Sequence, residues 1–268
     1  MNSNPIGIFD SGVGGLSVLK EVAALLPHEH VCYLADAAHC PYGSRSAQEV
    51  RELSLSMVSF LLREKECKMV VMACNTATAA AIDELRRRFP HIPFVGMEPA
   101  VKPAAEHSKT RSIGILATAG TLKGRLFNET KARYATEVKM YPVAGNGLVE
   151  LVQAGREDSP EALLLLQKYL LPMLADGVDQ LVLGCTHYPF LQKTIEEIVQ
   201  GKMDIINPAP AVAAQAKRLL EQSSLLNSSS EPAHYSFYST GRVQQLQQMQ
   251  QKYLAELSGR CAFYEELG

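Results

Sequence analysis

Met69-Val70-Val71-Met72-Ala73-Cys74-Asn75-Thr76 reads as a short strand running into a turn. Met69 to Ala73 is apolar and β-branched at its centre, the pattern of a strand covered on both faces. From Thr76 to Phe89 the residues Ile82, Leu85 and Phe89 recur at helical spacing between charges, and Pro90 is the stop. Cys74 is thereby placed at the carboxyl end of a strand and just before a helix N-terminus, where open α/β sheets hold their ligands. Backbone N–H groups and the helix dipole favour negative charge there, so the thiol pKa is expected to fall.

The same device recurs further along. Leu181-Val182-Leu183-Gly184 is an apolar strand followed by Cys185-Thr186-His187, and Pro189 opens a helix with Leu191, Ile195, Ile198 and Val199 on one face. An earlier strand is duplicated too: Ile6-Gly7-Ile8-Phe9-Asp10-Ser11 reads against Ile113-Gly114-Ile115-Leu116-Ala117-Thr118. Two related halves follow from this, each with an inner strand ending in cysteine, so that two thiols face each other across a cleft.

A chain of 268 residues can bury one large core or two small ones. Its net charge of −2 gives no electrostatic case for nucleic acid or an anionic membrane. No apolar stretch reaches transmembrane length, and Met1 to Pro5 is polar and too short for a signal peptide. Six widely spread cysteines do not make a disulfide framework, which points to a reducing cytoplasm.

Taken in order, Ile6 to Phe9 is a strand, Asp10-Ser11-Gly12-Val13-Gly14-Gly15 its turn, and Leu16 to Leu26 a helix. The glycines let amides approach an anion, though their spacing fits no dinucleotide or P-loop fingerprint. Val31 to Ala35 is a second strand, and His39-Cys40-Pro41-Tyr42-Gly43-Ser44 is a loop that either offers N–H groups to a carboxylate or simply connects. A helix from Ala47 to Arg63, the Cys74 unit and a strand at Pro93 to Val95 complete the first half. The second half runs from near Met97 through strands at Ser112 to Ala117, Val138 to Tyr141, the Cys185 unit and Asp204 to Ile206. A helix from Ala209 to Gln222, a mobile surface loop at Ser223 to Pro232, a strand at Tyr235 to Ser239 and a helix from Val243 to Leu257 end the chain. The expected fold is α/β: two pseudo-symmetric domains, each a mainly parallel sheet flanked by helices, with the active site in the cleft between them. Residues 1–97 with 208–268 form one domain and 98–207 the other.

Two opposed thiols can invert a stereocentre without a cofactor. A thiolate on one face of a carbon acid removes a proton, and a thiol on the other returns one. Such a step needs desolvation and anion-stabilising donors around the substrate. Asp10 near Cys74 and His187 beside Cys185 are the candidate assistants. The other cysteines, Cys32, Cys40, Cys67 and Cys261, read as core filling. No Cys or His pair has a matching second pair at ligand spacing, so no metal site is expected.

At these residues the chain resembles the bacterial glutamate racemases, within the aspartate/glutamate racemases. The matching motifs are Ile8 to Leu16, Pro41-Tyr42-Gly43, Ala73-Cys74-Asn75-Thr76-Ala77-Thr78-Ala79, Ala117-Thr118-Ala119-Gly120-Thr121, Gly184-Cys185-Thr186-His187-Tyr188-Pro189 and Phe237-Tyr238-Ser239-Thr240-Gly241. The resemblance implies cofactor-independent interconversion of L- and D-glutamate, which supplies D-glutamate for peptidoglycan. It implies that Cys74 deprotonates the D-enantiomer and Cys185 the L-enantiomer. It also implies that Asp10, Ser11, Tyr42, Gly43, Asn75, Thr76, Thr118, Thr121 and Thr186 line the substrate. Its only partner would be glutamate, and a homodimer is left open.

The chain departs from that pattern in places. Gly145-Asn146 stands where many members have Cys-Pro, and Gln153 where they have a glutamate. The residue that orients His187 therefore lies between Glu150 and Gln153. Asn207-Pro208-Ala209 replaces a frequent Asp-Ser-Gly at the final crossover. Three other readings compete: an aspartate racemase, a Cys185–His187 hydrolase, and a binding protein that closes on a small dicarboxylate.

Overall fold

The computed structural model describes residues 3–134 and 136–265; residues 1–2 and 266–268, the ends of the expected first domain, lie outside them. The first half gives β1 (Ile6–Asp10), α1 (Leu16–Leu25), β2 (Val31–Ala35), α2 (Ala47–Arg63), β3 (Met69–Met72), α3 (Asn75–Arg88) and β4 (Phe94–Gly96). Next come α4 (Val101–His107), β5 (Ser112–Ala117), α5 (Ala119–Lys123), α6 (Arg125–Tyr134) and β6 (Lys139–Ala144). After them lie α7 (Leu148–Gln153), α8 (Pro160–Ala175), β7 (Gln180–Gly184), α9 (Gln192–Val199) and β8 (Asp204–Ile206). The chain closes with α10 (Ala209–Gln222), β9 (Tyr235–Ser239), α11 (Val243–Tyr253) and β10 (Cys261–Glu265).

The strands form two sheets, ordered β10-β9-β2-β1-β3-β4 and β6-β5-β7-β8, and every pairing is parallel. Strands β1, β2, β3 and β7 are buried at every residue, which is why they read as unbroken apolar runs. With β9 and β10 set aside, the two orders are the same: second, first, third, fourth. In each sheet the chain steps outward on one side of its first strand and then continues on the other.

That reversal falls between β1 and β3 in one sheet and between β5 and β7 in the other. Strand carboxyl ends at such a reversal flank a crevice that no crossover covers. Asp10 ends β1 and Cys74 follows β3; Thr118 follows β5 and Cys185 follows β7. The topology thus delivers each thiol to the same place in its own sheet. A continuous cluster of buried apolar side chains runs from α1 and β1 through α7, α8 and β7, so the two sheets share a core.

Several elements differ from the sequence reading. Helix α4 was not anticipated: Pro103 sits in its first turn, where a missing N–H costs nothing. The helix after Cys185 begins at Gln192, because Tyr188–Leu191 forms a 3-10 turn first. The last helix ends at Tyr253, and the further edge strand β10 pairs with β9. At the final crossover Asn207 Oδ1 accepts the Ala209 N–H at 3.0 Å, which starts α10 without the Asp-Ser-Gly turn. The segment at 223–232 lies on the surface, but it is tied down: buried Glu29 accepts the Asn227 N–H at 2.6 Å, and Asn227 Nδ2 donates to His28 O at 2.9 Å.

Candidate active site

Each sheet builds half of the site at a helix start. Cys74 is the N-cap of α3: its Sγ accepts the Ala77 N–H at 3.4 Å, and its thiol donates to Ser11 Oγ at 3.6 Å. Thr118 caps α5 in the other half, accepting the Thr121 N–H at 3.2 Å. Cys185 follows β7 directly, with its Sγ 3.7 Å from His187 Nδ1.

Hydroxyl groups join the halves. Thr76 Oγ1 lies 2.8 Å from Thr118 Oγ1 and 3.2 Å from Thr121 Oγ1, and the latter two are 3.0 Å apart. Thr186 Oγ1 donates to Asp10 Oδ2 at 2.9 Å, and Ser17 Oγ donates to Thr186 O at 3.0 Å. Two glycines permit the approach. A Cβ on Gly43 would lie 2.7 Å from Thr118 Cβ, and one on Gly14 would overlap the His187 ring.

A small cavity lies between the sheets, and both thiols line it together with Ser11, Tyr42, Gly43, Asn75, Thr76, Thr118, Thr121, Thr186 and His187. Of the catalytic and substrate-lining residues expected from the sequence, Asp10 alone stands behind the wall. It accepts the Gly12 N–H at 2.8 Å and reaches the cavity through Thr186. Pro41, Val149 of α7 and Gly184, which sequence reasoning did not place at the substrate, complete the lining. Val149 carried no signal because a valine on an apolar helix face looks like core.

The partners of three further side chains bear on the expected roles. Tyr42 gives its phenol to Asp36 Oδ2 at 2.5 Å, so the loop offers its backbone to the cavity. Gln153 Oε1 accepts the Val13 N–H at 3.0 Å, and Glu150 is exposed. Neither orients His187, whose buried Nε2 has no partner among the described residues. Both polar atoms of the Asn75 amide are likewise buried and unpaired. Unpaired buried amides are costly, and one lining a cavity marks a place for a polar ligand.

The expected fall in thiol pKa does not occur in this closed site. Burial, the largest cause, pushes the Cys74 thiol up to about 11, against the N–H of Ala77 and the Ser11 hydroxyl, which lower it. Burial lifts Cys185 well above the ordinary thiol value too. It also raises Asp10 to about 6 and lowers His187 to about 3, so the imidazole is neutral. The strand-end geometry was read correctly, but desolvation by burial outweighs it. The cavity, about 10 Å³ counted as space open to the centre of a water molecule, has room for roughly one water and none for an amino acid. It shares Pro41, Gly43, Thr118 and Val149 with a cleft of about 130 Å³ that leads outward past Glu150.

Comparison with known proteins identifies the family of the chain. The Asp/Glu/hydantoin racemase family model matches residues 6–216. A glutamate racemase of Ectopseudomonas mendocina (strain ymp) is 47% identical over 244 residues, 91% of this chain and 92% of its own. The fold is similar to the crystal structure of a glutamate racemase isoform from Bacillus anthracis, with TM-score 0.87 and 30% identity over 100% of this chain and 98% of that one. It is also similar to the Francisella tularensis glutamate racemase crystallised with D-glutamate, with TM-score 0.84 and 26% identity over 98% of both chains. This chain belongs to the Asp/Glu/hydantoin racemase family.

Proposed function

We propose that this chain interconverts L- and D-glutamate, with Cys74 and Cys185 as the two bases. One observation carries the reading: two buried thiols occupy equivalent strand ends of two equivalent sheets and line one cavity. The relatives named above support glutamate as the substrate.

In the D-to-L direction the Cys74 thiolate takes the Cα proton, and the Cys185 thiol delivers its own proton to the opposite face. The reverse reaction exchanges the roles. Each turnover leaves the two thiols with exchanged protonation, which reverse passage or solvent exchange restores. Negative charge developing beside the α-carboxylate meets the unpaired Asn75 amide, the threonine hydroxyls and the amides of Tyr42 and Gly43. The protonated thiols of the closed state are made reactive on opening. Entry of substrate requires the sheets to part, and rehydration removes the main cause of the raised pKa values. At Cys185 a further contact helps: with the proton on Nε2, the neutral His187 offers Nδ1 as a hydrogen-bond acceptor that orients the thiol.

Within this reading, residues 1–97 with 208–268 form the Cys74 domain and 98–207 the Cys185 domain. The product D-glutamate serves peptidoglycan synthesis in the cytoplasm. The six cysteines are free thiols, as a reducing compartment would keep them, and among the described residues no helix is long and apolar enough to cross a membrane. The test is loss of optical rotation from each glutamate enantiomer in D2O, with no pyridoxal phosphate or metal added. Rotation should vanish as deuterium enters Cα. Binding of glutamate without Cα exchange would defeat the proposal, and faster exchange with aspartate would transfer it to the shorter acid.

A further inference from the structure

Asp36 is completely buried but does not line the cavity between the thiols. Its carboxyl group nevertheless gathers three partners. Tyr42 O–H donates to Oδ2 at 2.5 Å, Thr240 O–H donates to Oδ1 at 2.7 Å, and His39 Nδ1 lies 2.8 Å from Oδ1. Thr240 Oγ1 in turn accepts the Ala38 N–H at 3.1 Å. These bonds converge on the segment 37–44, which has little structure of its own: two 3-10 turns, Ala37–His39 and Tyr42–Ser44. Its internal turn bonds are long, His39 N to Asp36 O at 3.2 Å and Cys40 N to Ala37 O at 3.4 Å.

The second anchor comes from far along the chain. Thr240 follows β9, and its N–H bonds Ala35 O at 3.1 Å, which fixes it beside the end of β2. Gly241 lies so close to the segment that a Cβ there would be 3.1 Å from Ala37 Cβ and 3.3 Å from Ala38 N. Residues 239–241 lie beyond the 6–216 matched by the family model, yet they reach the loop that faces the substrate cavity.

We propose that Asp36 and Thr240 are positioning residues that hold the Tyr42 and Gly43 amides against a substrate carboxylate. This rests on the reading of the chain as a glutamate racemase whose loop binds substrate. The tail after α10 is then part of the catalytic apparatus. Without the anchor the segment would have to be ordered by the substrate itself, so affinity would fall more than turnover.

The test uses Thr240→Val, which keeps volume but removes both hydrogen bonds, with Tyr42→Phe as an independent cut of the same network and Thr240→Ser as the rescue. KM for both glutamate enantiomers should rise about tenfold in each of the first two variants, with kcat changed by less than about threefold, the order expected for losing one or two hydrogen bonds of the anchor. Thr240→Ser should restore KM to within about twofold. The double variant should lose less than the product of the single losses, because both act on one carboxyl group. Amide hydrogen exchange read by mass spectrometry should rise across residues 37–45 and stay unchanged in β1 and β3. Unchanged exchange in that segment, raised exchange with an unchanged KM, or failure of serine to rescue would each overturn the proposal. A wild-type protein that racemises no glutamate, with exchange still raised in Thr240→Val, would instead remove the parent reading and count for the anchor.

Discussion

Thr186 Oγ1 donates to Asp10 Oδ2 at 2.9 Å, so the turn that carries Cys185 in one sheet rests on the carboxyl group that ends β1 in the other. Asp10 therefore acts on the site at one remove. It sets Thr186 on one side and the Gly12 turn on the other, and its charge helps to hold both thiols protonated. A group buried so deeply carries a cost that pH makes measurable.

The folded-state pKa of Asp10 is about 6, raised from 3.8 chiefly by burial. Below the unfolded value both states hold the proton and nothing is lost. Between about pH 4 and 6 the unfolded chain ionises this group while the folded protein keeps it protonated, so stability falls, by up to about 3 kcal/mol once the pH is above 6. Asp10→Asn removes that penalty, so it should be more stable than the parent in urea unfolding at pH 8, with the gap closing by pH 4. The same variant should racemise more slowly, since Thr186 loses its charged acceptor. Equal stability at pH 8 would show that Asp10 is not strained by burial.

Gly14 and Gly12 should respond differently to alanine. A Cβ on Gly14 would overlap the His187 ring, held rigidly under β7, whereas one on Gly12 would lie 2.6 Å from the end of the flexible Gln153 side chain. Gly14→Ala should lower kcat about a hundredfold, the scale of loss when a reacting group is misplaced by about an ångström. Gly12→Ala should cost under about tenfold. Equal losses would mean that the glycine turn tunes something other than His187.

How much of this was legible in the sequence follows from what each feature depends on. The two strand–cysteine–helix units could be read because apolar runs and helical spacing are local. The matching strand orders then placed both thiols at one crevice, a consequence of topology already implied by the duplicated segments. Strand β10 could not be read: Cys261–Glu265 gains its place by stacking Phe263 on Phe237 at 4.8 Å and Tyr264 on Tyr238 at 4.9 Å. Those partners are distant in sequence. The direction of the thiol pKa shifts was not legible either, since it depends on how completely the folded chain buries each thiol. The neighbours of His187 were illegible too, because Gln153 turns to the Val13 N–H instead.

His187 should matter on one side of the reaction only. Its Nδ1 faces Cys185, and burial, which lowers its pKa to about 3, keeps the imidazole neutral at neutral pH, so that it accepts a hydrogen bond from the thiol and orients it. Enantiomers have equal free energies, so kcat/KM must remain equal in the two directions whatever is changed. The asymmetry appears instead in isotope effects. In His187→Asn proton transfer at Cys185 becomes the slower step, so the primary deuterium effect on kcat/KM should grow for 2-deuterated L-glutamate and shrink for the D-enantiomer. Equal changes in both would remove His187 from the Cys185 side.

The two-base assignment is tested by removing one thiol at a time. Serine keeps the shape and a hydroxyl but does not readily form an oxyanion. Cys74→Ser and Cys185→Ser should each lose racemisation by several orders of magnitude, since one general base contributes about 10²–10⁴ and inversion needs both groups. A threo-3-chloroglutamate separates their roles. Loss of the Cα proton there expels chloride from C3, and the resulting dehydroamino acid goes on to 2-oxoglutarate and ammonia, so a single base suffices. Cys185→Ser should still eliminate from the D-enantiomer, where Cys74 is the base, and Cys74→Ser from the L-enantiomer. Both thiols line one cavity from equivalent positions in the two sheets, and under the proposed mechanism each would reach only one face of Cα. Elimination by both variants from the same enantiomer, or near-normal racemisation by either, would break the facing-thiol mechanism.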